Sequence, residues 1–129
     1  MLFQIFILLI ISTSIGIKPE KSNAQNFREI ILFTYSDEDS TLKKQIDILK
    51  SDPKGLAERD LKIFVKIWGK DKLASHQKFK IPKNQFAFVL IGKDGGEKYR
   101  SLNVVTQQKL YSIIDAMPMR IYEMKKSDN

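Results

Sequence analysis

The side chains that invite a chemical reading are mostly lysines. Between Lys62 and Lys83 stand Lys62, Lys66, Lys70, Lys72, Lys78, Lys80 and Lys83, with Asp71 as the sole acid, a local balance of +6 within a chain of 129 residues whose net charge is +7. Such a density of cations over one short stretch draws acidic partners by long-range attraction, or keeps a small surface soluble. Cysteine is absent, which removes disulfides, thiolate ligands and thiol nucleophiles. His76 is the one histidine and cannot form a histidine metal cluster alone. Asp94 beside Gly95 and Gly96 fits a turn better than a cation site, because convergent oxygen ligands are missing around it. Ser36-Asp37-Glu38-Asp39 reads as the acidic start of a helix, a place where a nucleophilic anion would be repelled. No catalytic residue, metal site or cofactor is expected from these patterns.

The elements that hold these residues follow from hydrophobic period. Arg28 to Tyr35 and Phe86 to Ile91 are nearly unbroken apolar runs, the signature of central strands buried on both faces. Leu61 to Trp68 alternates instead, with Lys62, Phe64, Lys66 and Trp68 on one side, which predicts a lysine-guarded edge strand. Leu42, Ile46 and Leu49 form one helical stripe after the acidic capping box at Ser36 to Asp39, and Pro53 and Gly55 are expected to end that helix. Leu73 to Phe79 predicts a short helix. Lys93-Asp94-Gly95-Gly96 is a turn that returns Glu97 to Arg100 antiparallel. Thr106 caps a helix carrying Leu110, Ile113, Ile114 and Met117, with Val105 and Leu110 placed as a hydrophobic staple. Pro118 breaks it before a short helical piece from Met119 to Met124, and Lys125 to Asn129 reads as a frayed polar tail. The order is β-α-β-α-β-β-α, a four-stranded mixed sheet flanked by helices in the minimal thioredoxin-like arrangement of the α/β class.

Three strings are more specific than this pattern. Gly55-Leu56-Ala57-Glu58-Arg59-Asp60-Leu61, then Leu90-Ile91-Gly92-Lys93-Asp94-Gly95-Gly96 with Lys98 and Arg100, then Ile114-Asp115-Ala116-Met117-Pro118-Met119-Arg120 with Glu123 and Met124, resemble the family catalogued as domain of unknown function 4174. The resemblance implies a thioredoxin-like or peroxiredoxin-like exported domain and brings no established activity with it. It marks Arg59, Lys93, Lys98, Arg100 and Arg120 as recurrent positions. These form either an anion or partner site or a solvated surface with salt bridges.

The N-terminal run Leu2 to Ile11, followed by Ser12, Thr13, Ser14 and Gly16, resembles a secretory leader, with Ser22-Asn23-Ala24 offering the small residues that a signal peptidase reads. Cleavage there yields a domain starting at Gln25, with two lysines and one glutamate removed and a charge of +6 over 105 residues. An uncleaved membrane anchor is the alternative, since no Lys or Arg precedes the apolar run; the run is shorter than the roughly 20 residues of a comfortable span, which favours cleavage. The sequence thus predicts an exported protein, periplasmic, cell-surface or secreted, with residues 1–24 as leader and 25–129 as one domain. Its function is expected to be non-catalytic binding or adhesion, with an acidic protein, an anionic glycan or the envelope surface as partner through Lys70, Lys72, Lys78 and Lys80. No nucleic acid partner is expected, as Phe64, Trp68 and Phe79 suit packing as well as stacking. The other class considered is an enzyme or redox-partner subunit acting through non-thiol residues.

Overall fold

The computed structural model describes residues 24–69 and 74–129, so the expected leader up to Asn23, together with Lys70 and Lys72, lies outside the described residues. Four strands, β1 (Arg28–Thr34), β2 (Leu61–Ile67), β3 (Ala87–Ile91) and β4 (Glu97–Ser101), form one mixed sheet in the order β2-β1-β3-β4. β1 runs parallel to β2 and antiparallel to β3, and β3 returns through the hairpin into β4. The two apolar runs are therefore the central strands and the lysine-bearing strand is an edge, as their patterns predict.

Alternation along the ladder sorts the residues onto two faces. Ile30, Leu32, Phe88 and Leu90 join Ile63 and Val65 on one face, packed against Leu42 and Leu49 of α1 (Ser40–Lys50) and Leu110 and Ile114 of α4 (Gln107–Asp115). Ile31, Phe33, Ala87, Val89 and Ile91 fill the other face, which α3 (Ala74–Lys78) and the following Phe79 and Ile81 cover. Among the described residues this second layer is thin, five residues of helix against the longer α1 and α4 on the first face.

Thr106 caps α4 by accepting a hydrogen bond from the Lys109 N–H, with Val105 and Leu110 both buried beside it as the staple requires. Elsewhere the structure corrects the expected boundaries. Pro53 does not terminate α1 but opens a second helix, α2 (Pro53–Glu58), because proline suits the first helical turn and Asp52 caps it through the Gly55 N–H. The acids Asp37 and Glu38 precede α1 in a turn, and the cap is Asp39, whose carboxylate accepts from the Thr41 N–H; no acid stands in the first helical turn. α5 (Pro118–Ser127) begins at the proline and absorbs most of the expected polar tail. In the hairpin turn only Gly95, at φ 82°, occupies the left-handed region, so one glycine of the pair is conformationally required.

Candidate functional site

In a thioredoxin-like domain the reactive group would follow β1. Here that corner is consumed by its own structure: the Thr34 hydroxyl donates to Asp39 Oδ2 at 2.9 Å, Asp39 Oδ1 accepts from Thr41, and Ser36 Oγ accepts from the Glu38 N–H. Asp39 is buried and satisfied at both oxygens, and the Ser36 hydroxyl is engaged in the turn. Among the described residues nothing at this corner is arranged as a nucleophile with a base.

The basic residues singled out in the sequence divide into two populations. Arg59, Lys93 and Arg120 belong to a network that ties the loops at one end of the sheet to α4 and α5. Arg59 makes a two-pronged bond to Asp115 at 3.0 and 2.9 Å, and Arg120 meets the same carboxylate at 3.2 Å while donating to the Glu58 carbonyl. Lys93 reaches Asp60 at 2.8 Å and Glu123 at 2.6 Å, and Glu123 also accepts both terminal nitrogens of Arg28, a residue only 1% exposed. Burial, the largest single influence, would raise the pKa of Asp115 and Glu123, but hydrogen bonds from their cations outweigh it and hold both below the ordinary carboxylate value. Burial likewise opposes the charge of Arg59 and Lys93, and their carboxylate partners overcome it, so both are raised. Lys98 pairs with Asp94 and Arg100 with Glu97 on the hairpin surface.

Gly55 belongs to this network sterically. A Cβ there would fall 2.1 Å from Asp52 Oδ2 and 2.5 Å from the Tyr111 hydroxyl, which donates to that oxygen at 3.0 Å. The Arg59 guanidinium lies 3.7 Å over the same Tyr111 ring.

The second population sits over the thin face. Lys62 and Lys66 alternate with Ile63 and Val65 and so share the side of Ile31 and Phe33, where α3 packs. Lys78 and Lys80, on and just after α3, line an open depression of about 670 Å³ with Phe79, Ile91, Arg100 and two acids, Glu97 and Glu29, the latter the register partner of Lys62. Lys80 takes the left-handed conformation, φ 53°, that ends the helix. Among the described residues none of Lys62, Lys66, Lys78, Lys80 and Lys83 is in an ion pair, and no acid lies between positions 61 and 83 apart from Asp71, outside the described residues. Two aromatics of this stretch are turned inward, Phe79 contacting Phe33 at 5.5 Å between centroids and Trp68 standing edge-on to the buried His76 at 5.0 Å, while Phe64 stays exposed. Among the described residues no cluster of His, Asp or Glu is disposed to hold a metal ion.

Of the positions singled out in the sequence, the structure therefore brings Lys78, Lys80 and Arg100 to one depression and places Arg59, Lys93 and Arg120 in a separate network. Arg28, Glu123, Asp115 and Gln45 went unnoticed as determinants. Their partners lie 95, 56 and 60 residues away along the chain, beyond any local period.

No curated protein matches the chain in sequence. Its fold is similar to a solved structure described as a malarial protein, at 14% identity and a TM-score of 0.57 over 70% of this chain and 96% of that one. It is also similar to the reduced 2-Cys peroxiredoxin of Plasmodium vivax, at 17% identity and a TM-score of 0.54 over 78% of this chain and 80% of that one. The architecture is thus thioredoxin-like, on a chain with no cysteine. A family model spans residues 21–123, covering all three of the strings that tie the loops to α4 and α5, and the chain belongs to that family, the domain of unknown function DUF4174.

Proposed function

We propose that the protein is an exported, non-catalytic binding module whose α3 face docks a polyanionic partner, an acidic protein, an anionic glycan or the envelope surface. The observation that carries this reading is the segregation of charge. Arg59, Lys93, Lys98, Arg100 and Arg120 are each engaged by a carboxylate, whereas none of the five described lysines between positions 61 and 83 is, and Lys62, Lys66, Lys78 and Lys80 gather on the α3 side of the sheet, a concentration that the other unpaired lysines, spread over α1, α2, α4 and α5, do not reach. Uncompensated cations on one face give a positive field that compensated ones do not. Lys70 and Lys72 fall in the same stretch of sequence and add to its charge.

The corresponding experiment measures binding of heparin, as a generic polyanion, to the domain 25–129. Affinity should fall roughly a hundredfold between ~50 and ~200 mM salt, the response of about five cations releasing condensed counterions. Joint reversal of Lys62, Lys66, Lys78 and Lys80 to Glu should abolish binding with the fold intact, while reversal of Lys43 and Lys44 on α1 should cost far less. Equal losses from the two sets would mean that net charge alone is being read. Export carries its own expected result: the protein recovered from the cell envelope or medium begins at Gln25. An intact Met1 in washed membranes would point to the anchor instead.

A further inference from the structure

A second site, distinct from the α3 face, lies where the hairpin turn meets the corner between α4 and α5. A pocket of about 480 Å³ opens there. One wall is apolar, built from Ile113, Ala116, Met117, Pro118 and Met119; the other is the turn, with Gly92, Lys93, Asp94 and Lys98. Two of the three recurrent strings thus face each other across a cavity of the size that takes a small organic molecule.

Two observations give the pocket a preference for a negative group. First, Lys98 is the residue that the β3–β4 register passes over: Leu90 pairs with Tyr99 and Ile91 with Glu97, so Lys98 is the extra residue of a β-bulge, a device that re-aims a side chain. Its stem lies against Gly92, where a Cβ would come within 2.6 Å of Lys98 Cε, so glycine at 92 is what allows the lysine to lie along the pocket wall. Second, Arg28 lines the pocket at 1% exposure, and its Nε, buried, has no hydrogen-bond acceptor although both terminal nitrogens are bonded. An N–H without an acceptor at a cavity wall is a donor that an incoming oxygen can satisfy.

We infer that this pocket binds a small amphipathic carboxylate, its apolar body against Ala116, Met117 and Met119 and its anionic head between Lys98 and Arg28. The head exchanges with Asp94 for the Lys98 ammonium, which is a third exposed and held at 2.7 Å. A free fatty-acid-like molecule and the C-terminus of an apolar peptide share this chemistry.

The test uses the 25–129 domain labelled at its methionine methyls, with decanoate, decan-1-ol and N-acetyl-Leu-Phe as probes. Decanoate should shift the methyl signals of Met117 and Met119 and leave Met124 unmoved, and it should bind at least tenfold more tightly than decan-1-ol. Lys98→Gln should remove that tenfold preference without weakening the alcohol, and Ala116→Phe, checked for fold by circular dichroism, should block both. Preference for N-acetyl-Leu-Phe over decanoate would identify the peptide terminus as the source of the carboxylate. Equal affinity for decanoate and decan-1-ol, or undisturbed Met117 and Met119 signals at millimolar probe, would overturn the assignment. Because Lys98 and Ala116 lie outside the set reversed on the α3 face, failure here leaves the heparin result intact, and the converse holds.

Discussion

Replacing Glu123 with Gln should destabilise the domain by about 3 kcal/mol, the cost of removing one partner from a largely buried ion pair and leaving the other charge behind. Arg28 is the charge left behind. Its guanidinium is 1% exposed and gives both terminal nitrogens to Glu123, at 3.1 and 3.2 Å. An amide at position 123 offers one neutral oxygen in place of two charged ones and turns an NH2 toward Arg28 or Lys93. Lys93 keeps Asp60, so the loss falls mainly on Arg28 and on the docking of α5. Urea unfolding should show the midpoint falling with the slope preserved. A loss below ~1 kcal/mol would place the network among ordinary surface pairs.

The same residue governs acid stability. Glu123 and Asp115 are held below the ordinary carboxylate value in the folded protein, so the unfolded chain binds protons first as pH falls. Their contribution is complete above the ordinary carboxylate value and is lost as pH drops through the depressed folded value. The parent domain should therefore weaken steeply below about pH 4, and Glu123→Gln should flatten that limb while lowering the plateau above it. A parallel downward shift at every pH would assign the acid limb to Asp115 and other carboxylates.

What the sequence made legible and what it did not follow one physical division. Strands, the edge position of β2 and the Thr106 cap are written in local period and local hydrogen bonding, and these match the structure. Pro53 was ambiguous because proline both ends one helix and starts another; the deciding atom is an Asp52 oxygen that reaches the Gly55 N–H. Arg59 looked like an exposed residue, and Arg28 drew no notice, because the carboxylate partner of each is remote in sequence. Arg59 and Asp115 stand 56 residues apart, and Arg28 and Glu123 stand 95 apart. Read together, the strings encode ties: Gly55 makes room for the Asp52–Tyr111 bond, Arg59 and Arg120 share Asp115, and Lys93 shares Glu123 with Arg28. The lysine-rich stretch was visible as composition, but only the strand register and the placement of α3 put Lys62, Lys66, Lys78 and Lys80 on one side.

Gln45 shows how a polar residue on an apolar stripe can carry as much stability as its neighbours. It lies one turn from Leu42 and Leu49 on the buried side of α1, at 0% exposure, where a period count reads an interruption. Its amide occupies the place of a missing strand: Nε2 donates to the Val105 carbonyl at 2.9 Å, and Oε1 accepts the Val105 N–H at 2.7 Å. Val105 belongs to no strand or helix, so these two bonds satisfy its buried backbone groups at the start of α4. Gln45→Leu fills similar volume and satisfies neither group. At about 1–3 kcal/mol for each unmade buried bond, offset by the better transfer of Leu, the net loss should be about 3 kcal/mol. Amide exchange should locate it, with the Val105 N–H losing protection ahead of the sheet. If Val105 stays protected and the unfolding midpoint barely moves, the segment before α4 has found another partner, and the Gln45 amide is replaceable.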